Sequence, residues 1–190
     1  RIIQNREHLF LCNCQSQVLF SSAASAATVE SGSPTITETQ ITTTTSDQWS
    51  PDIYSDRIVW VDDRNGNDAI YMYDLSTKKE TQITTNTSGK WDPDIYGDRI
   101  VWQDLRDGNY NIYMYDLSTK KETQISNYES GYEDTGNPAI YGDKIVWTNG
   151  YDEYWQIYMY DLSTSKETQI TTNGRAYNPA IYGNKIVWLD

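Results

Sequence analysis

Residues 93–125 read Pro93-Asp-Ile-Tyr-Gly-Asp-Arg-Ile-Val-Trp-Gln-Asp-Leu-Arg-Asp-Gly-Asn-Tyr-Asn-Ile-Tyr-Met-Tyr-Asp-Leu-Ser-Thr-Lys-Lys-Glu-Thr-Gln-Ile125. Asp94-Ile95-Tyr96 reads as a short strand. Gly97-Asp98 reads as a two-residue turn, because glycine tolerates the positive φ that tight hairpins need. A second strand is expected from Arg99 to Gln103. A polar loop with Gly108 as breaker follows from Asp104 to Asn109. A third strand is expected over Asn111 to Asp116, a turn over Leu117 to Lys120, and a fourth strand over Glu122 to Ser126. Ile100-Val101-Trp102 and Ile112-Tyr113-Met114-Tyr115 are continuously apolar rather than alternating, which marks strands covered on both faces.

The unit is repeated. Ile-Val-Trp starts at Ile58, Ile100, Ile145 and Ile186, at intervals of 42, 45 and 41 residues. Ile-Tyr-Met-Tyr-Asp-Leu-Ser-Thr starts at Ile70, Ile112 and Ile157, and Thr-Gln-Ile at Thr39, Thr81, Thr123 and Thr168. A period of about 40–45 residues built from strands is that of a propeller blade, four short antiparallel strands each. The fold class is therefore all-β, a β-propeller of four-stranded antiparallel blades. Three blades are complete (Pro51–Ile83, Pro93–Ile125 and Pro138–Ile170), with partial first and last ones. A lone fourth strand, Glu38 to Thr42, precedes them. Pro179 to Asp190 supplies only the first two strands of another. Propellers close with about 4–8 blades, so the chain reads as a fragment of a larger ring whose further blades are needed for closure. The lone leading strand suits the closure in which one terminus completes the blade of the other. Left open, the arc would expose unpaired edges and one apolar blade face.

Arg106-Asp107-Gly108 and the run from Ile112-Tyr113 to Asp116-Leu117 resemble the TolB-like propeller repeat, and the likeness extends over residues 35–190. With Tyr-Gly-Asp and Ile-Tyr-Met-Tyr-Asp-Leu-Ser-Thr, the units are most similar to repeats in cell-surface proteins of methanogenic archaea. They depart from the usual Ser-Pro-Asp-Gly hairpin, carrying Ile-Tyr-Gly-Asp instead, and lack the Gly-His and Trp-Asp marks of WD40 repeats. The resemblance implies a propeller and leaves the activity open, because propellers host many functions.

The composition narrows the partners. With 15 Lys and Arg against 27 Asp and Glu, the net charge is −12. Nucleic acid and anionic membranes call for clustered Lys and Arg, which this balance argues against. Residues 1–27 differ from the rest: Arg1 and Arg6 precede a mixed apolar stretch, and Ala24-Ser25-Ala26 resembles a cleavage site. A secretory signal peptide is expected there, although polar residues interrupt its apolar core. Residues 28–34 form a linker. No run reaches the ~18 apolar residues of a membrane span. Cys12 and Cys14 lie in the leader, so the repeats use no disulfide; they read as incidental there.

Catalytic candidates are few. The only histidine is His8, in the leader, and no nucleophile-elbow pattern occurs, which removes a histidine-based triad from this segment. Asp62, Asp63, Asn65 and Asp68 offer hard oxygen donors in a loop bent by Gly66, suited to Ca2+; the competing reading is a tight polar loop. Asp52, Asp92 and Asp94 lie at the first strand, which lines the channel, and vary between blades. They form a candidate acidic patch for a cation or a basic peptide. Trp60, Trp102, Trp147 and Trp188 share one blade position and read as inter-blade core. Trp49, Trp91 and Trp155 fall outside that register, flank loops, and are candidate contacts for a glycan or protein partner. Asp74, Asp116 and Asp161 read as turn caps. Asn86-Thr87-Ser88 is an N-glycosylation sequon.

The reading is a non-catalytic secreted or cell-surface module that binds protein or glycan or acts as a scaffold, with no enzyme activity and with Ca2+ as the one cofactor considered. Its rival is the accessory gating propeller of a prolyl-oligopeptidase-type serine peptidase. A propeller lyase acting on acidic polysaccharide is a further rival, against which the acidic balance counts.

Overall fold

The computed structural model describes residues 2–3, 25–29, 36–128, 135–151 and 154–190. Among these residues the regular structure is strands and a single 3-10 turn, Arg106–Gly108. No helix among them is long and apolar enough to cross a membrane.

Three four-stranded antiparallel sheets follow one another. The first blade comprises β4 (Gln48–Tyr54), β5 (Arg57–Asp62), β6 (Ala69–Asp74) and β7 (Lys79–Gln82). In the second are β8 (Lys90–Tyr96), β9 (Arg99–Asp104), β10 (Asn111–Asp116) and β11 (Lys121–Gln124). The third has β12 (Gly136–Tyr141), β13 (Lys144–Tyr151), β14 (Tyr154–Asp161) and β15 (Lys166–Gln169). The hairpin of β16 (Tyr177–Tyr182) and β17 (Lys185–Leu189) is the half blade. Strand order within each sheet is sequential. The expected fold class therefore holds.

The leading strand differs from expectation. It spans Ile36–Gln40 (β3) rather than Glu38 to Thr42, and it is not alone: it pairs antiparallel with β2 (Ser25–Val29), which pairs in parallel with β1 (Ile2–Ile3). β2 straddles the boundary expected between leader and linker. The rest of residues 1–27, including His8, Cys12 and Cys14, lies outside the described residues.

The first strand is also longer than expected, beginning at Gln48 and Lys90, ahead of the proline rather than after it. A bulge makes this possible. The register shifts between Trp49 and Asp52, Trp91 and Asp94, Gly136 and Ala139, and Tyr177 and Ala180. Within each shift the residue before proline is left-handed: Ser50 (φ 49°), Asp92 (48°), Asn137 (51°) and Asn178 (54°). Asp and Asn reach this region more readily than other non-glycine residues, and proline at a bulge loses no ladder bond because it has no N–H to donate. The fourth strand is shorter than expected, ending at Gln124.

Blades stack face to face. Trp102, on the second blade, is buried among Val59, Val61, Ile70 and Met72 of the first. Trp147, on the third, is buried among Val101, Ile112 and Met114 of the second. Trp60 is covered by Ile41, just after β3. All three indoles are 0% exposed, whereas Trp188, whose hairpin has no third strand beside it, is 42% exposed, and Val187 on the open face is 63% exposed.

Polar contacts repeat at the seams. Arg57 Nη1 donates to Gly97 O (3.0 Å) and Asp98 Oδ1 (2.6 Å) of the next blade. Arg99 repeats this with Gly142 O (3.1 Å) and Asp143 Oδ1 (2.6 Å). At the third seam Lys144 stands in the arginine position and pairs within its own blade with Asp161 (3.6 Å). Tyr54, Tyr96, Tyr141 and Tyr182 form a row across the seams, with ring centroids 4.7, 4.6 and 4.9 Å apart.

Candidate functional site

The loops between second and third strands hold a repeated ion-pair stack. In the first blade Trp60 Nε1 donates to Asp62 Oδ2 (3.2 Å), and Arg64 donates to both Asp62 oxygens (2.9 and 2.6 Å) and to Glu80. Arg64 also lies 4.1 Å above the Tyr71 ring. The second blade repeats the set with Trp102, Asp104, Arg106, Glu122 and Tyr113. Burial would raise the pKa of Asp62 and Asp104, but the hydrogen bonds from arginine, serine and indole outweigh it and hold both below the usual carboxylate range.

This arrangement decides what the proposed Ca2+ residues do. Asp62 faces Arg64. Asp63 Oδ1 accepts from Asp47 N (3.0 Å). Asn65 Nδ2 donates to the Tyr71 hydroxyl (2.8 Å). Asp68 is pushed up by burial and by the nearby Asp63. Among the described residues no three His, Cys, Asp or Glu side chains are gathered to share a metal ion.

The first-strand acids are likewise engaged between blades. Asp52 Oδ2 accepts from Ile95 N of the second blade, and Asp94 Oδ2 from Ile140 N of the third, each at 2.9 Å. Asp92 accepts from Ser50 Oγ (3.1 Å) and lies 3.5 Å from Asn137 Nδ2. Burial first, then the charge of Asp52 and a hydrogen bond with it, raise Asp94 well above the usual value. The structure brings Asp52 and Asp94 together, while Asp92 contacts Ser50 and Asn137. In later blades Ala139 and Ala180 replace Asp52 and Asp94, and Asn137 and Asn178 replace Asp92.

Trp49, Trp91 and Trp155 are each the second residue of a strand, β4, β8 and β14, and are half-buried; for Trp49 and Trp91 this is because the bulge lets the first strand begin ahead of the proline. Trp49 packs on the core between the first two blades. Trp91 meets Tyr110 edge-on at 5.7 Å. Trp155 meets Tyr177 edge-on at 5.7 Å, with Arg175 4.5 Å over its ring. Trp155 borders a cleft. That cleft, about 190 Å3, is lined by Gln103, Gly136, Asn137, Thr148, Trp155 and Tyr177, where the second, third and fourth blades meet. Apart from Trp155 these residues are not among the candidates read from the sequence. The signal was available: aligned on the blade proline, Trp49, Trp91 and Tyr177 occupy the position that is Gly136 in the third blade.

The turn caps form as expected, with Asp74 Oδ1 accepting from Thr77 N (2.8 Å) and Asp116 Oδ1 from Ser118 N (2.9 Å). In the sequon, Asn86 Oδ1 accepts from Ser88 N (3.2 Å) and from the buried Lys90 Nζ (2.6 Å).

Comparison with known proteins agrees with this geometry. A family model described as TolB beta propeller domain matches residues 20–189. Among solved structures, the chain is similar to TolB from Acinetobacter baumannii, with TM-score 0.67 and 24% identity over 80% of this chain and 40% of that one. It is also similar to a puromycin-hydrolyzing peptidase from Mycobacterium tuberculosis, with TM-score 0.58 and 16% identity over 75% of this chain and 23% of that one. An oligogalacturonate lyase from Vibrio parahaemolyticus matches with TM-score 0.56 and 14% identity over 84% of this chain and 50% of that one. At these identities the likeness concerns the fold, and the chain spans half or less of each of these three proteins. No curated protein sequence matches.

Proposed function

The chain belongs to the TolB beta propeller domain family, and on that premise we propose that it is a non-catalytic binding module of a secreted or cell-surface protein, with a protein or glycan as its partner. One observation carries this reading. Residues that recur from blade to blade, such as Trp60, Trp102, Asp62, Asp104, Arg64 and Arg106, are engaged in packing and ion pairs within or between blades. Residues that break the repeat, Gly136 and Trp155 among them, border one cleft. A rigid scaffold with an irregular concavity is an arrangement that suits a binding site. The leader-like composition of residues 1–27 and the acidic balance support an extracellular setting. The resemblance to methanogen surface repeats points the same way. The test is to screen the purified chain on a glycan array and against peptide and polygalacturonate substrates. Binding without turnover is expected, and turnover of either substrate would overturn the reading.

The gating-propeller alternative draws on the peptidase likeness, in which the matched part is 23% of that chain. A Gly-x-Ser-x-Gly segment followed by Asp and His downstream in the same reading frame would favour it. The lyase alternative remains disfavoured, because a net charge of −12 repels a polyanionic substrate.

A further inference from the structure

We infer that Asn86 is a modification site, the attachment point of an N-linked glycan. The inference rests on the secreted or cell-surface reading, since the sugar donor and its transferase belong to an export pathway.

Asn86-Thr87-Ser88 lies in the connection between β7 and β8, and it is the one Asn-x-Ser or Asn-x-Thr in the chain. Thr85 and Thr87 are exposed and Asn86 is half-buried. The motif says only which atoms could react; the fold adds how the amide is turned. Asn86 Oδ1 accepts from Ser88 N (3.2 Å), Ser88 Oγ (2.5 Å) and Lys90 Nζ (2.6 Å). Lys90 is fully buried, and an ammonium has donors only. The amide therefore cannot flip, because Nδ2 in place of Oδ1 would set donor against donor. Oδ1 and Nδ2 diverge from Cγ, so an oxygen held toward the buried ammonium turns the nitrogen away from it.

The first blade separates the roles of the two atoms. Aligned on the blade proline, Thr44, Ser46 and Gln48 stand there in place of Asn86, Ser88 and Lys90. Gln48 Nε2 donates to Thr44 Oγ1 (2.8 Å), Ser46 Oγ (2.9 Å) and Ser46 O (2.6 Å). Lys90 Nζ repeats the set with Asn86 Oδ1, Ser88 Oγ (3.3 Å) and Ser88 O (2.6 Å). A hydroxyl at the first position suffices to hold the loop. The carboxamide of the second blade keeps the accepting oxygen and adds a nitrogen that none of these contacts uses. Glycosylation changes that nitrogen and leaves Oδ1 a carbonyl oxygen, so the oxygen cage around Lys90 survives it.

The step is a displacement. Nδ2 attacks the anomeric carbon of an oligosaccharide carried on a lipid pyrophosphate. The anomeric carbon–oxygen bond breaks, the lipid pyrophosphate departs with the electron pair, the carbon–Nδ2 bond forms, and the amide loses one proton to a base of the transferase. In the folded chain the Ser88 hydroxyl is engaged with Asn86 and Asp104, so transfer belongs to export, before folding is complete, and the fold then accommodates the sugar.

The test places the whole chain behind an established export signal and translates it into microsomes, which hold both donor and transferase. Trypsin releases Glu80–Lys90, in which Asn86 is the only asparagine. In the translocated fraction, mass spectrometry is expected to find this peptide carrying one oligosaccharide. Asn86→Asp keeps an oxygen for Lys90 but offers no acceptor amide, and should carry none. The glycosylated chain and the unmodified chain made in bacteria should melt within about 4 °C of each other. The inference is overturned if the translocated chain is unmodified at Asn86, if Asn86→Asp still carries the sugar on this peptide, or if the glycan lowers Tm by more than that. Failure of residues 1–27 to direct export would count against the secreted reading; an unmodified Asn86 in chain carried across by the added signal would remove this inference alone.

Discussion

Replacing Trp102 with alanine tests the stacking of blades, and its cost can be worked from its surroundings. The indole is fully buried against Val59, Val61, Ile70 and Met72 of the preceding blade and stacks on Tyr113 at 6.3 Å. Truncating a fully buried tryptophan costs about 3–5 kcal/mol in lost transfer energy and residual cavity. The lost indole hydrogen bond adds little, since Asp104 keeps Arg106 and Ser88 as donors. For a chain of this size, 1 kcal/mol moves Tm by about 2–4 °C, so a fall of roughly 6–20 °C is expected. Trp188→Ala is the internal control. It occupies the same repeat position but is 42% exposed, so it should cost well under half as much, because less surface returns to water. Urea titration followed by circular dichroism measures both. A loss below ~1 kcal/mol for Trp102→Ala, or a loss at Trp188 equal to that at Trp102, would refute the burial argument.

Four further outcomes are expected. Arg106→Ala leaves the buried Asp104 with less compensation; because the arginine side chain is 24% exposed, the cost should be about 2–3 kcal/mol, below the 3–5 of a fully buried pair, and a thermal melt showing no loss would contradict the ion-pair role. Asp62 and Asp104 are held below their unfolded pKa, so the stability they contribute is present above about pH 4 and lost as pH falls through their folded values; an acid titration of Asp104→Asn should be flatter there than that of the parent. Asp94 has the opposite sign: its raised folded pKa stabilises at low pH, and that contribution is lost as pH rises from about 4 through the folded value. Asp94→Asn should therefore raise Tm at pH 7, provided the amide oxygen still accepts from Ile140 N, and an unchanged or lower Tm would count against a buried carboxyl pair. Because Arg64 engages both Asp62 oxygens, millimolar Ca2+ and EDTA should give the same melting curve; a Ca2+-dependent rise in Tm would instead support the loop as a metal site.

The blades are legible in the sequence because each must cover its neighbour, and that demand imposes the same apolar run on every copy. Ile58-Val59-Trp60 and its three successors disclose the strand, its double burial and its spacing at once. The ends of strands are less legible. Nothing in Gln48-Trp49-Ser50 marks a strand unless the left-handed preference of the residue before each proline is noticed, and without it the first strand is read as starting only after the proline. The acid-rich loop is only partly legible. Asp62 is a carboxylate of the kind a cation would use, and Arg64 is visible two residues away, but Glu80 lies across the turn on the fourth strand, a proximity that only folding supplies. Gly136 is legible by alignment of the blades, since it is the one small residue at a position otherwise filled by Trp49, Trp91 and Tyr177. What alignment cannot give is that Gln103 of one blade and Tyr177 of another converge on the space it leaves.

The account depends most on each indole reaching across to the sheet before it. Methyl–aromatic NOEs on the folded chain measure this directly. The structure predicts cross-peaks from the Trp102 indole to the methyls of Val59, Val61 and Ile70, and from the Trp147 indole to those of Val101 and Ile112. Indole cross-peaks confined to residues of the same four-stranded sheet would contradict it.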